Sequence, residues 1–356
     1  MNYSPFRHIM SVFRKESPIQ LTFFLTKRCN ARCDFCFYRS DSHISDHSMP
    51  ELSCDEIKKI TASMGRLLWL AFSGGEIFLR DDLVEITRLF YERNKPSIIL
   101  FPTNGLLTDV IREKIVEILE YCKKSTIVVK LSLDGPESVH DAIRGREGSF
   151  QKTMQTYYSL GELIDEYPHF ELGINTVFCS ANQDSMGPII DFVSRLDKIN
   201  THTVSLIRGS GLKDIDIEKY RATINALAEN LQKKLSGTYR FTGARLKAAQ
   251  DIVQRRLIYK TETQKQKLID CFAGRLNLVL TEEGDLYPCE SFTMKMGNVR
   301  DNNYDINSML RSSHARNILA SIRENNCFCS HECYLMTNIL FNPRMYPALL
   351  KEYLQL

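Results

Sequence analysis

The chain has no long apolar run. No stretch approaches the roughly 20 residues of a membrane-spanning helix, and the N-terminus, MNYSPFRHIMSVFRKESP, lacks the apolar core of a secretory signal, so a cytosolic (cytoplasmic) location is the default expectation. One-sided charge is missing too. Lys and Arg number 46 against 43 Asp and Glu, and the basic residues are scattered rather than gathered into a stripe, so no nucleic-acid partner is expected. There is also no internal repeat, no low-complexity tract and no Walker-type phosphate loop.

What is present in excess is cysteine. Eleven in 356 residues is a high count for a reducing compartment, where disulfides are rare and clustered thiols bind metal or do redox work. Eight fall into two groups: Cys29, Cys33 and Cys36 near the N-terminus, and Cys271, Cys289, Cys327, Cys329 and Cys333 near the C-terminus. Cys54, Cys122 and Cys179 are dispersed and read as small apolar residues.

The length allows one large α/β domain of about 200 to 250 residues with a smaller companion. Six strand-like segments recur: PIQLTFFLT (18 to 26), LLWLAFSGGE (67 to 76), SIILFPTNG (97 to 105), TIVVKLSLDG (126 to 135), FELGINTVF (170 to 178) and THTVSLIRG (201 to 209). Amphipathic stretches with three- and four-residue apolar spacing lie at 81 to 94, 109 to 124, 148 to 167 and 182 to 196. Repeated βα units favour a parallel sheet with helices outside, and the endings SGGE, PTNG, SLDG and LIRG gather at one mouth. Past residue 212 the pattern becomes charged helix, and from Cys271 a hairpin-like unit, RLNLVLTEEGDLYPCE, follows.

The first thiol group has the spacing C-x3-C-x2-C and lies just past the first strand. Thiolates suit zinc or an iron-sulfur cluster. A structural zinc site needs a fourth ligand, for which His43 is the one nearby candidate. A four-iron cubane on three thiolates instead keeps one iron open for another ligand, which is a catalytic arrangement.

These residues resemble the radical S-adenosylmethionine (radical SAM) superfamily, whose hallmark C-x3-C-x-aromatic-C is matched by Cys29, Cys33, Phe35 and Cys36. FSGGEIFLR is similar to the family's second-strand signature, in which Gly74, Gly75 and Glu76 would hold the amino group of the methionine moiety; PTNG and SLDG are similar to later signatures. The resemblance implies an α/β fold, a partial (βα)6 TIM-like barrel, with Ser132 and Asp134 at the cofactor and Arg144 pairing with its carboxylate. A zwitterionic amino acid on an open iron needs a carboxylate near its ammonium and a cation or hydroxyls near its carboxylate, and Glu76, Arg144 and Ser132 are of those types. Plainer roles compete with each assignment. Gly74-Gly75 could be a simple turn, Ser132 and Asp134 could cap the next helix, Arg144 could be a surface ion pair, and Asn104 could be turn chemistry.

Cys271 and Cys289 flank a hairpin as C-x12-G-x4-C, and NNCFCSHECYL supplies three more thiols. This resembles the SPASM extension, or its shorter relative called twitch, a small α+β iron-sulfur domain. Its full form has seven cysteines and two clusters; five support one closed [4Fe-4S] cluster, with Cys271, Cys289 and two of the tail thiols, Cys333 with either Cys327 or Cys329. The competing reading is structural zinc on four of these, with His331 as a candidate. The division expected is an N-terminal extension (1-17), a radical SAM barrel (18-212), a helical connector (213-265), the auxiliary-cluster domain (266-340) and a C-terminal helix (341-356).

The cofactors implied are two [4Fe-4S] clusters and S-adenosyl-L-methionine, with a flavodoxin or ferredoxin as electron donor. The chemistry implied is cleavage to a 5'-deoxyadenosyl radical, which takes a hydrogen from substrate. No base is assigned: Asp214, Asp216 and Glu290 are placed for it, but each reads as solvated. The substrate expected is a small molecule, a sugar or aminocyclitol alcohol, because one auxiliary cluster fits and the barrel begins within about 20 residues of the N-terminus, too near for a winged leader-peptide domain. The alternative is a peptide or protein substrate, of the ribosomal-peptide or sulfatase-maturation type. A zinc-bound, non-enzymatic scaffold is the reading from a different class.

Overall fold

The computed structural model describes residues 2–40, 49–233, 239–324 and 327–356. His43 lies outside the described residues. The six anticipated strands are β1 (Gln20–Thr26), β2 (Trp69–Gly74), β3 (Ile98–Thr103), β4 (Thr126–Ser132), β5 (Phe170–Phe178) and β6 (Thr201–Leu206), each parallel to the next. Every residue of β1 is buried, as a parallel strand covered on both faces requires, and this is why such strands read as unbroken apolar runs. Helices Leu83–Arg93, Thr108–Tyr121, Ser149–Gly161 and Met186–Ser194 follow the intended strands and bury their apolar stripes. Buried rings hold the barrel to them: Phe23 and Phe72 meet Phe90 of the first of these helices at 6.1 and 6.3 Å between centroids.

The C-terminal hairpin joins the same sheet. β7 (Asn277–Leu280) pairs in parallel with β1, from Gln20 opposite Asn277 to Phe23 opposite Leu280, and β8 (Asp285–Tyr287) and β9 (Gly297–Asn298) follow antiparallel. The strand order is β6-β5-β4-β3-β2-β1-β7-β8-β9. The free edge of β1 would otherwise present unpaired backbone groups, and β7 satisfies them. The consequence is that β1, which launches the first cysteine group, and the hairpin that carries Cys271 and Cys289 are hydrogen-bonded neighbours.

The connector holds helices Ile217–Lys233 and Ala244–Gln264. The second is more than a charged spacer. From Ala248 to Arg255 it is buried without interruption, packed against helices Ile217–Lys233, Glu332–Leu340 and Tyr346–Gln355. Its Asp251 is ion-paired with Lys247 and accepts from Tyr239 Oη at 2.8 Å, which lets the charge sit inside. Cys122 and Cys179 are buried as small apolar residues, whereas Cys54 is half-buried with its thiol 3.3 Å from Asp82 Oδ2. Among the described residues no helix is long and apolar enough to cross a membrane.

Candidate functional site

At the C-terminal ends of the strands, β1 and β2 fix the first thiol group together. Gly74 adopts φ +118°, and the backbone then passes against the segment leading to Cys29: Gly75 N–H donates to Thr26 O at 2.7 Å and Glu76 N–H to Arg28 O at 2.9 Å. A Cβ at Gly75 would stand 2.2 Å from Arg28 O, and one at Gly74 2.4 Å from Thr26 O. Both positions need glycine for close approach of backbone to backbone.

Glu76 points inward and is 1% exposed. Its carboxylate accepts from Asn104 N–H (2.8 Å), Thr103 Oγ1 (2.9 Å) and Phe78 N–H (3.2 Å). Burial pushes its pKa up to about 7 against the pull of those hydrogen bonds. Asn104 makes its turn bond to Leu106 N–H (3.0 Å), but its Nδ2 also donates to Asn30 Oδ1 (2.7 Å) and lies 3.9 Å from Cys29 Sγ. Thr103 and Asn30 thus belong to the site; Thr103 lies within PTNG and Asn30 within the cysteine motif, but the sequence alone singles out neither.

A second arm comes from β4. Ser132 ends the strand half-buried; two residues on, Asp134 is fully buried, accepts from Val177 N–H (2.8 Å) and pairs with Arg144 Nη2 at 2.5 Å. Neither Ser132 nor Asp134 caps the next helix, Glu137–Arg144, which has no side-chain cap. Arg144 ends that helix, buried rather than in a surface pair. Its Nη1 is 3.6 Å from Cys33 Sγ and its guanidinium stands 5.5 Å over the Phe35 ring. Cys29 is exposed and Cys33 and Cys36 half-buried. Burial pushes the Cys29 and Cys33 thiols up, and nearby anions add to this, while Arg144 opposes it at Cys33. Phe35, Phe37, Val139, Ile143, Ile207 and Arg208 help line a cavity of 760 Å³ beside this group.

One aromatic cluster separates and joins the two thiol groups. Phe24, Tyr38, Tyr287, Phe292 and Tyr334 are buried together, and Cys36, Cys271, Cys289 and Cys333 pack against them. Burial first, then Cys289 and Cys327, push Cys271 up to about 11; burial, with Cys271, Cys289 and Cys327 adding, pushes Cys329 up to about 12. His331 is held near 4, and so neutral, by burial and Arg208. Asp214 and Asp216 are exposed, as the sequence suggests, and Asp216 Oδ1 accepts from Glu218 N–H at 2.9 Å at the start of its helix. Glu290 corrects the expectation of a solvated surface. It is 6% exposed and ion-paired with Arg208, whose guanidinium lies 5.1 Å over Phe37. The partner on β6's end, 82 residues earlier, is what allows the charge inside.

The donor sets suit the implied clusters, three thiols at an open mouth and a larger thiol group behind it. Among the described residues no three of these thiols surround a common point at metal-bonding distance, so the fit is one of donor type and electrostatics. Burial, with neighbouring thiols adding to it, raises Cys29, Cys33, Cys271 and Cys329, and a bound cationic cluster would offset this.

Residues 23–178 match the model of the radical SAM superfamily, and residues 271–334 match SPASM, an iron-sulfur cluster-binding domain. The chain belongs to the radical SAM superfamily and carries a SPASM domain. Its family cofactors are therefore [4Fe-4S] clusters and S-adenosylmethionine. Among curated relatives, the antilisterial bacteriocin subtilosin biosynthesis protein AlbA of Bacillus subtilis (strain 168) is 27% identical over 81% of this chain and 59% of its own length. Fe-coproporphyrin III synthase of Methanosarcina barkeri is 27% identical over 64% of this chain and 54% of its own length. The sporulation killing factor maturation protein SkfB of B. subtilis is 24% identical over 90% and 71%. Streptococcus suis SuiB bound to S-adenosylmethionine superposes with a TM-score of 0.60 at 15% identity, over 94% of this chain and 74% of that one, which shows the shared fold. Native anSMEcpe with bound AdoMet does so with a TM-score of 0.60 at 17% identity, over 95% and 96%.

Proposed function

We propose that the chain is a radical SAM enzyme that modifies a peptide or protein. The observation that carries this is the company of its curated relatives, several of which are named for subtilosin biosynthesis, sporulation killing factor maturation, PqqA peptide cyclisation, anaerobic sulfatase maturation and mycofactocin maturation, beside others named for porphyrin and heme synthesis. The expectation of a sugar or aminocyclitol substrate gives way to the alternative reading.

Cys29, Cys33 and Cys36 would hold the first cluster, which, with S-adenosylmethionine on its open iron, supplies one-electron cleavage to methionine and a 5'-deoxyadenosyl radical. Glu76, fixed by Thr103 and Asn104, offers negative charge for the ammonium of the methionine moiety, while Gly74 and Gly75 let that strand end lie against the cysteine loop. Arg144 and Ser132 are of the types that would serve its carboxylate, and Asp134 holds Arg144 in place. Phe35, Phe37, Val139, Ile143 and Ile207 give the neighbouring cavity an apolar wall that keeps water from a radical. At 760 Å³ the cavity suits one or two side chains of an extended segment rather than a folded surface. A flavodoxin or ferredoxin would deliver the electron.

The test begins with anaerobic reconstitution and assay of 5'-deoxyadenosine released from S-adenosylmethionine under titanium citrate. Wild type should release it and the Cys29→Ala/Cys33→Ala/Cys36→Ala variant should not; release by the variant overturns the radical SAM reading. Co-expression with small peptides encoded beside the gene, followed by mass spectrometry, tests substrate class. A mass change on a peptide supports the proposal, and turnover confined to small alcohols overturns it.

A further inference from the structure

At the N-terminal ends of the strands, opposite the thiols, two elements turn apolar side chains outward. Phe6, Ile9, Met10 and Phe13 recur at helical spacing on and just past the 3-10 helix Pro5–Val12. Tyr346, Leu350 and Leu354 recur every fourth residue on helix Tyr346–Gln355. These side chains are 39 to 76% exposed and make up seven of the thirteen exposed large apolar ones among the described residues, so the exposure is concentrated in one place. Phe6 and Ile9 share a cavity of 370 Å³ with Tyr346 and Leu350, and Leu68, Trp69 and Ile98, where β2 and β3 begin, line it too. Among the described residues its one charged lining side chain is Lys247, which is already tied to Asp251.

Charge supplies the second observation. The three segments that meet at this face, residues 2–15, 241–249 and 340–356, carry Arg7, Arg14, Lys15, Arg245, Lys247, Arg344 and Lys351 against a single acid, Glu352. Glu352 is 2% exposed and ion-paired with Arg256, so it brings no negative charge to the surface. Arg7 turns inward onto the carbonyls of Leu67 and Lys95, while Arg14, Arg245, Arg344 and Lys351 are exposed. At the border Asp270 stands 3.6 Å from Arg344, and Glu16 follows Lys15. The whole chain holds 46 Lys and Arg against 43 Asp and Glu, so this bias is local, made by segments that only the fold brings together.

An exposed apolar face bordered by cations complements an anionic lipid surface, which takes up the side chains and offers phosphates to the border. A peptide laid in the cavity would meet an almost wholly apolar lining with few partners for its backbone amides, whereas hydrocarbon needs none. We propose that this end of the barrel sits on an anionic membrane, with Met10, Phe13, Leu350 and Leu354 in the acyl boundary and Arg14, Arg245 and Lys351 at the headgroups. The chain then lies on a bilayer without crossing it. The barrel mouth, at the other end of the strands, faces away from the lipid and stays open to substrate. This stands apart from the reading of substrate class.

The test sediments the reconstituted full-length chain with sucrose-loaded vesicles, made either of equal phosphatidylglycerol and phosphatidylcholine or of phosphatidylcholine alone. Wild type should bind the anionic vesicles, and the neutral ones about tenfold or more less tightly. Raising salt from about 0.1 M to about 1 M, which shortens the screening length from about 10 Å to about 3 Å, should weaken the anionic binding. The variant Met10→Ser/Phe13→Ser/Leu354→Ser should lose about a hundredfold in affinity for the anionic vesicles, and Arg14→Glu/Lys351→Glu about tenfold or more. Both variants should keep the wild-type urea midpoint and 5'-deoxyadenosine release, which separates loss of binding from loss of folding; if the Ser variant fails to fold, the charge variant carries the test. Failure of wild type to sediment with the anionic vesicles overturns the proposal, and so does unchanged binding by the folded variants. Without vesicle binding, a dimer split by the Ser variant gives the face to a second copy, and a substrate peptide that this variant no longer binds gives it to a peptide; either overturns the proposal.

Discussion

Gly75→Ala should disable the enzyme without touching a single thiol. The new methyl would stand 2.2 Å from Arg28 O and 2.7 Å from Arg28 C, both backbone atoms, so no side-chain rotation can relieve the overlap. An ordinary carbon–oxygen contact needs about 1 Å more, and the strand end and the cysteine loop must part by that amount. The bonds from Gly75 N–H to Thr26 O and Glu76 N–H to Arg28 O cross this same contact. Losing both costs about 2 kcal/mol at about 1 kcal/mol each, before any strain is counted. A displacement of about 1 Å at Cys29 should also cut S-adenosylmethionine cleavage by about a hundredfold, since chemistry of this kind depends on placement. Urea unfolding and a 5'-deoxyadenosine assay read the two effects separately. Gly65→Ala is the control, because a Cβ there meets nothing within 4 Å and its φ is not left-handed. If Gly75→Ala matches Gly65→Ala in both assays, the close approach does not set the loop and the reasoning fails.

Glu76 makes stability depend on pH. Its folded pKa, about 7, lies above the ordinary 4.5, so its contribution is fully present below the unfolded pKa and is lost as pH rises through 7. Between pH 5 and 8 the stability difference between Glu76→Gln and wild type should move by about 2 to 3 kcal/mol in favour of Gln, measured as urea midpoints of the cluster-free proteins; parallel curves would contradict it. Arg144→Met leaves Asp134 buried and unpaired and should destabilise by about 3 to 5 kcal/mol, and adding Asp134→Asn should recover part of this in a double-mutant cycle. Cys54→Ala and Cys122→Ala should leave the iron content of the reconstituted protein unchanged, because both thiols lie apart from the two groups; a loss of iron in either would show a ligand misassigned.

The strands were legible for a physical reason. A parallel strand buried on both faces must be mostly apolar, and the runs FFL, IILF and IVV mark β1, β3 and β4, whose bounds fall within three residues of where the pattern places them. The glycines and Glu76 were legible because close approach and buried charge restrict the residue type at one position. Pairings were not. That β7 closes the edge of β1 depends on two segments more than 250 residues apart, and their local sequences carry no record of it. Glu290 illustrates the same limit: a glutamate after a cysteine looks solvent-borne until Arg208 stands beside it. The Ala244–Gln264 helix misleads in the opposite way, because Gln250, Asp251, Gln254 and Arg255 look like an exposed face and are instead buried.

Three contacts share a feature that bears on function. In each, polar groups from the barrel and from the segments that follow it satisfy one another: Arg208 with Glu290 and Cys333, Ser205 with Glu332 at 2.6 Å, and Arg255 with the carbonyl of His202 at 3.4 Å. Buried polar contacts are costly when half-made, so the tail cannot shift on the barrel without leaving charges unpaired. The barrel mouth and the auxiliary thiols are thereby held in one register by β1–β7 pairing on one side and by β6 on the other. Loosening Arg208 alone should disturb the geometry of the cavity wall before it disturbs the fold.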